Sequence, residues 1–203
     1  MLCDLCAIAI ERIDPRSACT RCGAPGGLVR CAECENRRFS FAGARCAALL
    51  EPPVSTAIIT LKDGGERRCA SVLAELLAEV AVGWLEPGEA LVPVPASPGA
   101  FSRRGFDHAR DIARALGRAT SSDVSEVLRS ARSSDQRVLG RDARFENKAG
   151  TFSVLPWAEV PARIVLVDDV FTTGATMEAA AAALMAGGAR RVRSLAVARS
   201  MRR

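Results

Sequence analysis

The 203-residue sequence contains no tyrosine and only 4% aromatic residues. That scarcity argues against the base-stacking platforms on which single-stranded nucleic acid usually sits, for which Phe39, Phe41, Phe101 and Phe145 are the only plausible residues. No uncharged apolar run approaches the roughly 18 residues that a membrane-crossing helix needs. The opening MLCDLCAIAIERID carries acids where a signal peptide carries basic residues, so a cytoplasmic protein without membrane insertion is expected. Lysine is nearly missing: only Lys62 and Lys148 accompany the arginines, which suit bidentate phosphate contacts. The 28 basic residues exceed the 23 acidic ones by only +5, too little to demand a polyanionic partner. Histidine occurs once, and His108 reads as a helix-start or polar-face residue without catalytic duty.

What is present suits a globular chain with one α/β core and roughly 50 residues to spare for a small module. Six of the eight cysteines form three CxxC pairs, Cys3/Cys6, Cys19/Cys22 and Cys31/Cys34, separated by 12 and 8 residues. Two such pairs complete a tetrahedral zinc site, and in a reducing compartment zinc outweighs disulfides. Six ligands are too many for one zinc and too few for two four-cysteine sites, so the pairing stays open. Cys46 and Cys69 stand alone in apolar surroundings and read as small buried hydrophobes.

Along the chain, 44–50 reads as a short strand ended by Pro52-Pro53, and Val54, Ala57, Ile58 and Leu61 mark a helical face. A second amphipathic helix runs from near Arg67 to near Gly83. A strand at 90–94 leads into a proline-containing loop and an exposed basic corner, Arg103-Arg104-Gly105-Phe106, able to hold a phosphate-sized anion, and then another helix. Residues 124–128 and 152–155 read as strands on either side of a long polar segment, 129–150, that reads as a lid or a disordered loop. Basic residues are dense at 129–144 and 190–203, which read as solvated faces and a tail.

The most telling stretch is 164–176. Its first four residues, Ile164 to Val167, have the composition of a strand buried on both faces, and the strand ends in Asp168 and Asp169. Thr172, Thr173, Gly174, Ala175 and Thr176 follow, then an alanine-rich helix closed by Gly187-Gly188, and 192–198 supplies a partner strand in a right-handed βαβ unit. Backbone N–H groups in such a loop suit a phosphate, and the two acids suit sugar hydroxyls or a metal-bound diol. A sugar phosphate satisfies both halves.

VLVDDVFTTGAT resembles the phosphoribosyl diphosphate (PRPP) loop of type I phosphoribosyltransferases. More of the chain is similar to the ComF family, which joins an N-terminal cysteine-rich zinc module to such a domain. The marks are CxRCGxP at Cys19 to Pro25, VPVP at Val92 to Pro95, RGF at Arg104 to Phe106, and Gln136, Arg141, Arg144, Asn147 and Phe152. The chain departs from the common pattern at Asp107 and His108, where RGFNQ is usual, and at Asp63, where an aromatic is usual. It also has three CxxC pairs where four are frequent.

The resemblance implies an α/β, type I phosphoribosyltransferase-like fold, with a mainly parallel sheet and helices on both faces. It divides the chain into a zinc module at 1–40 and the phosphoribosyltransferase-like domain at 41–203. It assigns ribose hydroxyls to Asp168 and Asp169, the 5′-phosphate to Thr172, Thr173, Gly174, Ala175 and Thr176, and zinc to the CxxC cysteines. Pyrophosphate with Mg²⁺ would face Arg103 and Arg104, joined by Arg141 and Arg144 from a mobile lid over 129–150. The expected activity is phosphoribosyl transfer with pyrophosphate release. The family's association with DNA uptake supplies a rival: a single-stranded DNA-binding or adaptor module that keeps the pocket for docking or sensing.

Overall fold

The computed structural model of the chain describes residues 3–26, 29–130 and 151–201. Four strands form its main sheet, in the order β1 (Ala44–Leu49), β6 (Arg191–Arg199), β5 (Arg163–Phe171), β2 (Ala90–Pro93), all parallel. The α/β expectation with a parallel sheet is met. β5 and β6 take the centre because both of their faces are apolar: Ile164, Val165, Leu166, Val167, Leu195 and Val197 are all fully buried.

Side-chain alternation sorts those residues. Val165, Val167, Leu195 and Val197 face α3 (Val54–Lys62), α4 (Cys69–Ala81) and α6 (His108–Thr120). These helices answer with Ile58, Leu61, Leu73, Leu77, Ile112 and Leu116, each buried and each contributing about 1.5–3 kcal/mol of transfer free energy. Ile164, Leu166 and Ala196 face the other way, onto α7 (Ala175–Ala186), where Ala180 and Ala181 let the helix approach closely. Ile13, Cys19, Cys22, Ala24 and Cys34 of the cysteine-rich segment join this second cluster. That segment also carries α1 (Asp4–Ala9) and α2 (Ala32–Glu35).

Three expectations are corrected. The strand with the acid pair does not stop there: β5 continues to Phe171, keeping its register with β6 at Asp168↔Ala196 and Phe171↔Arg199. The basic corner belongs to a helix, α5 (Pro98–Arg104), because Ser97 caps it by accepting from the Ala100 N–H at 3.3 Å and left-handed Gly105 (φ 76°) ends it. Residues 124–128 do not make a strand of the main sheet beyond one bridge, Val124 to Leu91. Instead β3 (Leu128–Ser130) pairs antiparallel with β4 (Phe152–Val154), because Leu128 and Phe152 bury on the α7 side.

The connections leaving β5 and β2 diverge. The chain after β5 turns into α7 on one face of the sheet, whereas the chain after β2 turns through α5 into α6 on the other. The two strands are neighbours, so a crevice opens between their carboxyl ends, the place where open α/β sheets bind ligands.

Candidate functional site

Asp168 and Asp169 lie at that crevice, 8% and 3% exposed. Although consecutive in a strand, they bring a carboxylate oxygen each to within 4.8 Å of the other and of a His108 ring nitrogen. Asp169 turns to the α3/α6 face, where the Lys62 ammonium forms an ion pair with it and His108 Nε2 stands 3.5 Å from its second oxygen. Asp168 accepts the Asp169 N–H at 2.9 Å. Burial alone would raise the Asp169 carboxyl, but His108 and Lys62 together hold it well below the usual carboxylate range. Burial, and then the neighbouring Asp169 charge, push Asp168 well above its ordinary value. The two shifts run in opposite directions, so Asp169 is the readier anion and Asp168 the readier proton holder, a pair suited to accepting from and donating to a diol.

His108 and Lys62 are the residues that sequence reasoning missed. His108 does start α6, as expected, yet it is buried against Asp169 rather than on a polar face. Asp107 just before it caps α6 by accepting from Arg110 N–H at 3.2 Å, and its second oxygen accepts from Ala96 N–H at 2.7 Å. One carboxylate thus ties the loop after β2 to the helix that carries His108. Lys62 arrives from the last turn of α3. The only signal for either in the sequence is its rarity.

His108, Asp168 and Asp169 form a three-donor group of the kind that could hold a metal ion. The donor set does not suit a resident Mg²⁺, because Lys62 already supplies a cation to Asp169. Arg104 lies on the same side of the crevice, its guanidinium 3.3 Å from Asp63, the residue after Lys62. Arg141, Arg144, Gln136 and Asn147 lie outside the described residues, as does the expected lid apart from its first two residues, which belong to β3.

The loop after β5 joins the acids to α7. Gly174 is left-handed (φ 80°), and a Cβ there would meet the Phe171 ring at 2.7 Å. Thr173 Oγ1 accepts from the Ala175 N–H at 3.3 Å, starting the helix. Thr172, Thr173, Gly174, Ala175 and Thr176 thus stand together at the N-terminus of α7, beside the acid pair.

Cys19, Cys22, Cys31 and Cys34 bring their sulfurs within 4.8 Å of one another. Cys22 Sγ and Cys31 Sγ are 3.6 Å apart. Tetrahedral zinc with bonds of about 2.3 Å sets its sulfurs about 3.8 Å apart, so the cluster fits that ion. Burial pushes the Cys19 thiol up, but N–H groups of Cys31, Cys22 and Arg21 outweigh it and hold the thiol at about 7. Burial raises the Cys22 and Cys34 thiols, a cost that a bound cation would offset. Gly23 (φ 69°) makes the knuckle turn against β1, where a Cβ would strike Cys46 at 2.9 Å. Cys3 and Cys6, near α1, do not join this group.

Comparison with curated proteins places these features in a lineage. The chain is 28% identical over 213 residues to the DNA utilization protein YhgH of Escherichia coli (strain K12), covering 98% of this chain and 91% of that one. It is 26% identical over 202 residues to the competence protein ComFC of Streptococcus pneumoniae (strain ATCC BAA-255 / R6), covering 98% and 87%. The resemblance to the ComF family is borne out. No family model matches the chain. Among the described residues no helix is long and apolar enough to cross a membrane.

Proposed function

We propose that this protein binds PRPP or a related ribose 5-phosphate compound in the crevice between β5 and β2 and transfers its phosphoribosyl group with release of pyrophosphate. The observation that carries the reading is the buried acid pair, with Asp169 held by Lys62 and His108, set directly before a left-handed glycine and a helix N-terminus. Asp169, fixed by Lys62 and His108, accepts a ribose hydroxyl, and Asp168 engages the neighbouring one. Thr172 to Thr176 cradle the 5′-phosphate. Arg104, with Arg141 and Arg144, faces the pyrophosphate, and Mg²⁺ enters with the diphosphate to neutralise the leaving group. A nucleophile bonds to C1 as the bond from C1 to the pyrophosphate oxygen breaks, and the chain's part is to hold the ring in place. In this reading residues 1–40 form a zinc-held module packed on the domain of 41–203.

The test is pyrophosphate release from PRPP across a panel of nucleobases and amines, with calorimetric titration of PRPP and ribose 5-phosphate in Mg²⁺. Release with one acceptor supports transfer, whereas affinity without release leaves a sensor. Absence of affinity for every ribose phosphate sinks the reading.

A second reading, nucleic-acid engagement, is favoured by the names of the relatives and by a groove of about 430 Å³ between α4 and α6. Arg67, Arg68, Arg114 and Arg118 line it with Asp111, which holds Arg67 bidentately, whereas the partly exposed Glu66 and Glu126 that pair with Arg68 and Arg114 are weak competitors for phosphates. Base stacking has little to offer in the groove, whose lining has no aromatic residue: Phe41 is buried, Phe39 stacks on it at 4.6 Å, Phe101 is exposed but lies on α5, and Phe145 lies outside the described residues. Binding through the groove is therefore to the backbone, tolerant of sequence and steeply salt-dependent. Fluorescence anisotropy with an oligonucleotide at about 50 and about 200 mM salt tests it. Affinity indifferent to salt, or to Arg118→Ala, would remove the groove from the reading.

A further inference from the structure

In a planar trans peptide the C=O of one residue and the N–H of the next point in opposite directions. Whatever grips a carbonyl therefore aims the following N–H. Three successive carbonyls at the end of β5 are gripped. Arg199 Nη1 donates to Phe171 O at 3.1 Å and to Thr172 O at 2.6 Å, and Arg37 Nη1 donates to Thr173 O at 3.2 Å. Phe171 O also accepts from the Ser200 N–H at 3.0 Å. The N–H groups aimed by this arrangement are those of Thr172, Thr173 and Gly174, and none has an acceptor among the described residues. Three consecutive free N–H groups directed away from two guanidinium groups make a nest for an anion.

The two arginines differ in origin. Arg199 ends β6, is 4% exposed, and lies over the Phe171 ring at 5.1 Å. Arg37 is exposed and comes from the cysteine-rich segment, its own N–H donating to the carbonyl of Cys34, one of the four clustered cysteines. The same segment reaches the loop twice more. Ser40 donates through N–H and Oγ to the Glu178 carboxylate in the first turn of α7, at 2.6 and 2.7 Å, and Glu33 of α2 faces Arg199 at 3.7 Å.

We propose that Arg199 and Arg37 are positioning residues of the phosphate loop, and that through Arg37 and the Ser40–Glu178 contact the metal state of the Cys19/Cys22/Cys31/Cys34 knuckle sets the affinity of that loop for phosphate. This rests on the reading that the loop binds a sugar phosphate. With its cation the knuckle fixes Cys34, and with it the stretch 37–40. Without it those residues regain freedom, and the loop loses the grip on Thr173 and α7 that the segment provides.

The experiment titrates the full zinc-loaded chain with ribose 5-phosphate and, without ligand, measures ¹⁵N order parameters at Thr172, Thr173 and Gly174. Arg37→Ala weakens ribose 5-phosphate about two- to tenfold, the loss of one exposed hydrogen bond, and Arg37→Lys recovers part of it. Arg38→Ala, which removes the same charge from the next residue, stays within about twofold of wild type. Arg199→Lys loses at least as much as Arg37→Ala, because the flexible lysine stem lacks the rigid planar group that lies over the Phe171 ring and holds Nη1 against both carbonyls. Chelation reproduces the Arg37→Ala loss, and both lower the order parameters from about 0.85 toward about 0.6.

Wild-type affinity in Arg37→Ala and in the chelated chain overturns the coupling while leaving the sugar-phosphate reading intact, and wild-type affinity in Arg199→Lys overturns its positioning role. If wild type binds no ribose 5-phosphate, that reading fails by itself. The order parameters then decide the coupling alone: a fall in both Arg37→Ala and the chelated chain supports it, and unchanged values overturn it.

Discussion

Replacing each carboxylate of the acid pair by its amide should move stability in opposite directions. Asp169→Asn keeps the shape but removes the charge that faces Lys62 and His108 inside the protein. Losing a buried charge-assisted interaction costs roughly 1.5–3 kcal/mol. For a chain of this size each 1 kcal/mol moves the melting temperature by about 2–4 °C, so a fall of about 3–12 °C is expected near pH 7. Asp168→Asn removes a group whose folded-state pKa lies above its unfolded value. Such an acid contributes most to stability below its unfolded pKa, about 3.9, and that contribution is lost as pH rises through the folded value. The amide does not titrate, so Asp168→Asn gains on wild type progressively as pH rises and gains least near pH 4. Asp169 has the opposite sign: its depressed pKa adds stability above the unfolded pKa that is lost as pH falls through the folded value. Thermal melts of both variants and wild type from pH 4 to pH 8, without ligand, check this. Shifts of the same sign at pH 7, or an Asp168→Asn gain that shrinks as pH rises, would refute the assignment of readier anion and readier proton holder.

Two further outcomes follow from the same geometry. Zinc analysis of fresh reduced protein should find one ion per chain, retained in Cys3→Ser/Cys6→Ser and lost in Cys22→Ser/Cys34→Ser, since only the latter two belong to the sulfur cluster. Gly174→Ala should lower the melting temperature by about 2–8 °C, from about 1–2 kcal/mol for a left-handed residue with a Cβ, and should abolish ribose 5-phosphate binding in a calorimetric titration.

The sheet was readable because it depends on composition. Two consecutive β-branched runs separated by an alanine helix admit few other structures, and β1, α3, α4, β2, α6, β5, α7 and β6 all lie where periodicity puts them. What periodicity does not carry is where an element stops. β5 runs on through Asp168 and Asp169 because β6 continues to offer it hydrogen-bond partners as far as Arg199, and a pairing partner is not a local property. The hairpin β3–β4 is equally non-local: its short apolar runs are of strand type, but only the α7 surface decides that they pair with each other.

The candidate site divides along the same line. The loop was legible as a contiguous motif, since anion cradles are made of neighbouring N–H groups. Lys62, His108, Arg37 and Arg199 act on it from positions between 27 and 136 residues away, and no spacing rule connects them. The cysteines show both cases at once. Three equivalent CxxC pairs left the pairing open in the sequence, and packing brings one group of four together: Cys19, Cys22 and Cys34 are buried against Ala44 and Cys46 at the edge of the sheet, whereas Cys3 and Cys6 stay on the outside. A knuckle that shares its buried cluster with the sheet cannot loosen without disturbing what it is packed on. Arg37 and Ser40, a few residues beyond Cys34, reach Thr173 and Glu178, so in the proposed coupling a change at the sulfurs is transmitted to the loop after β5.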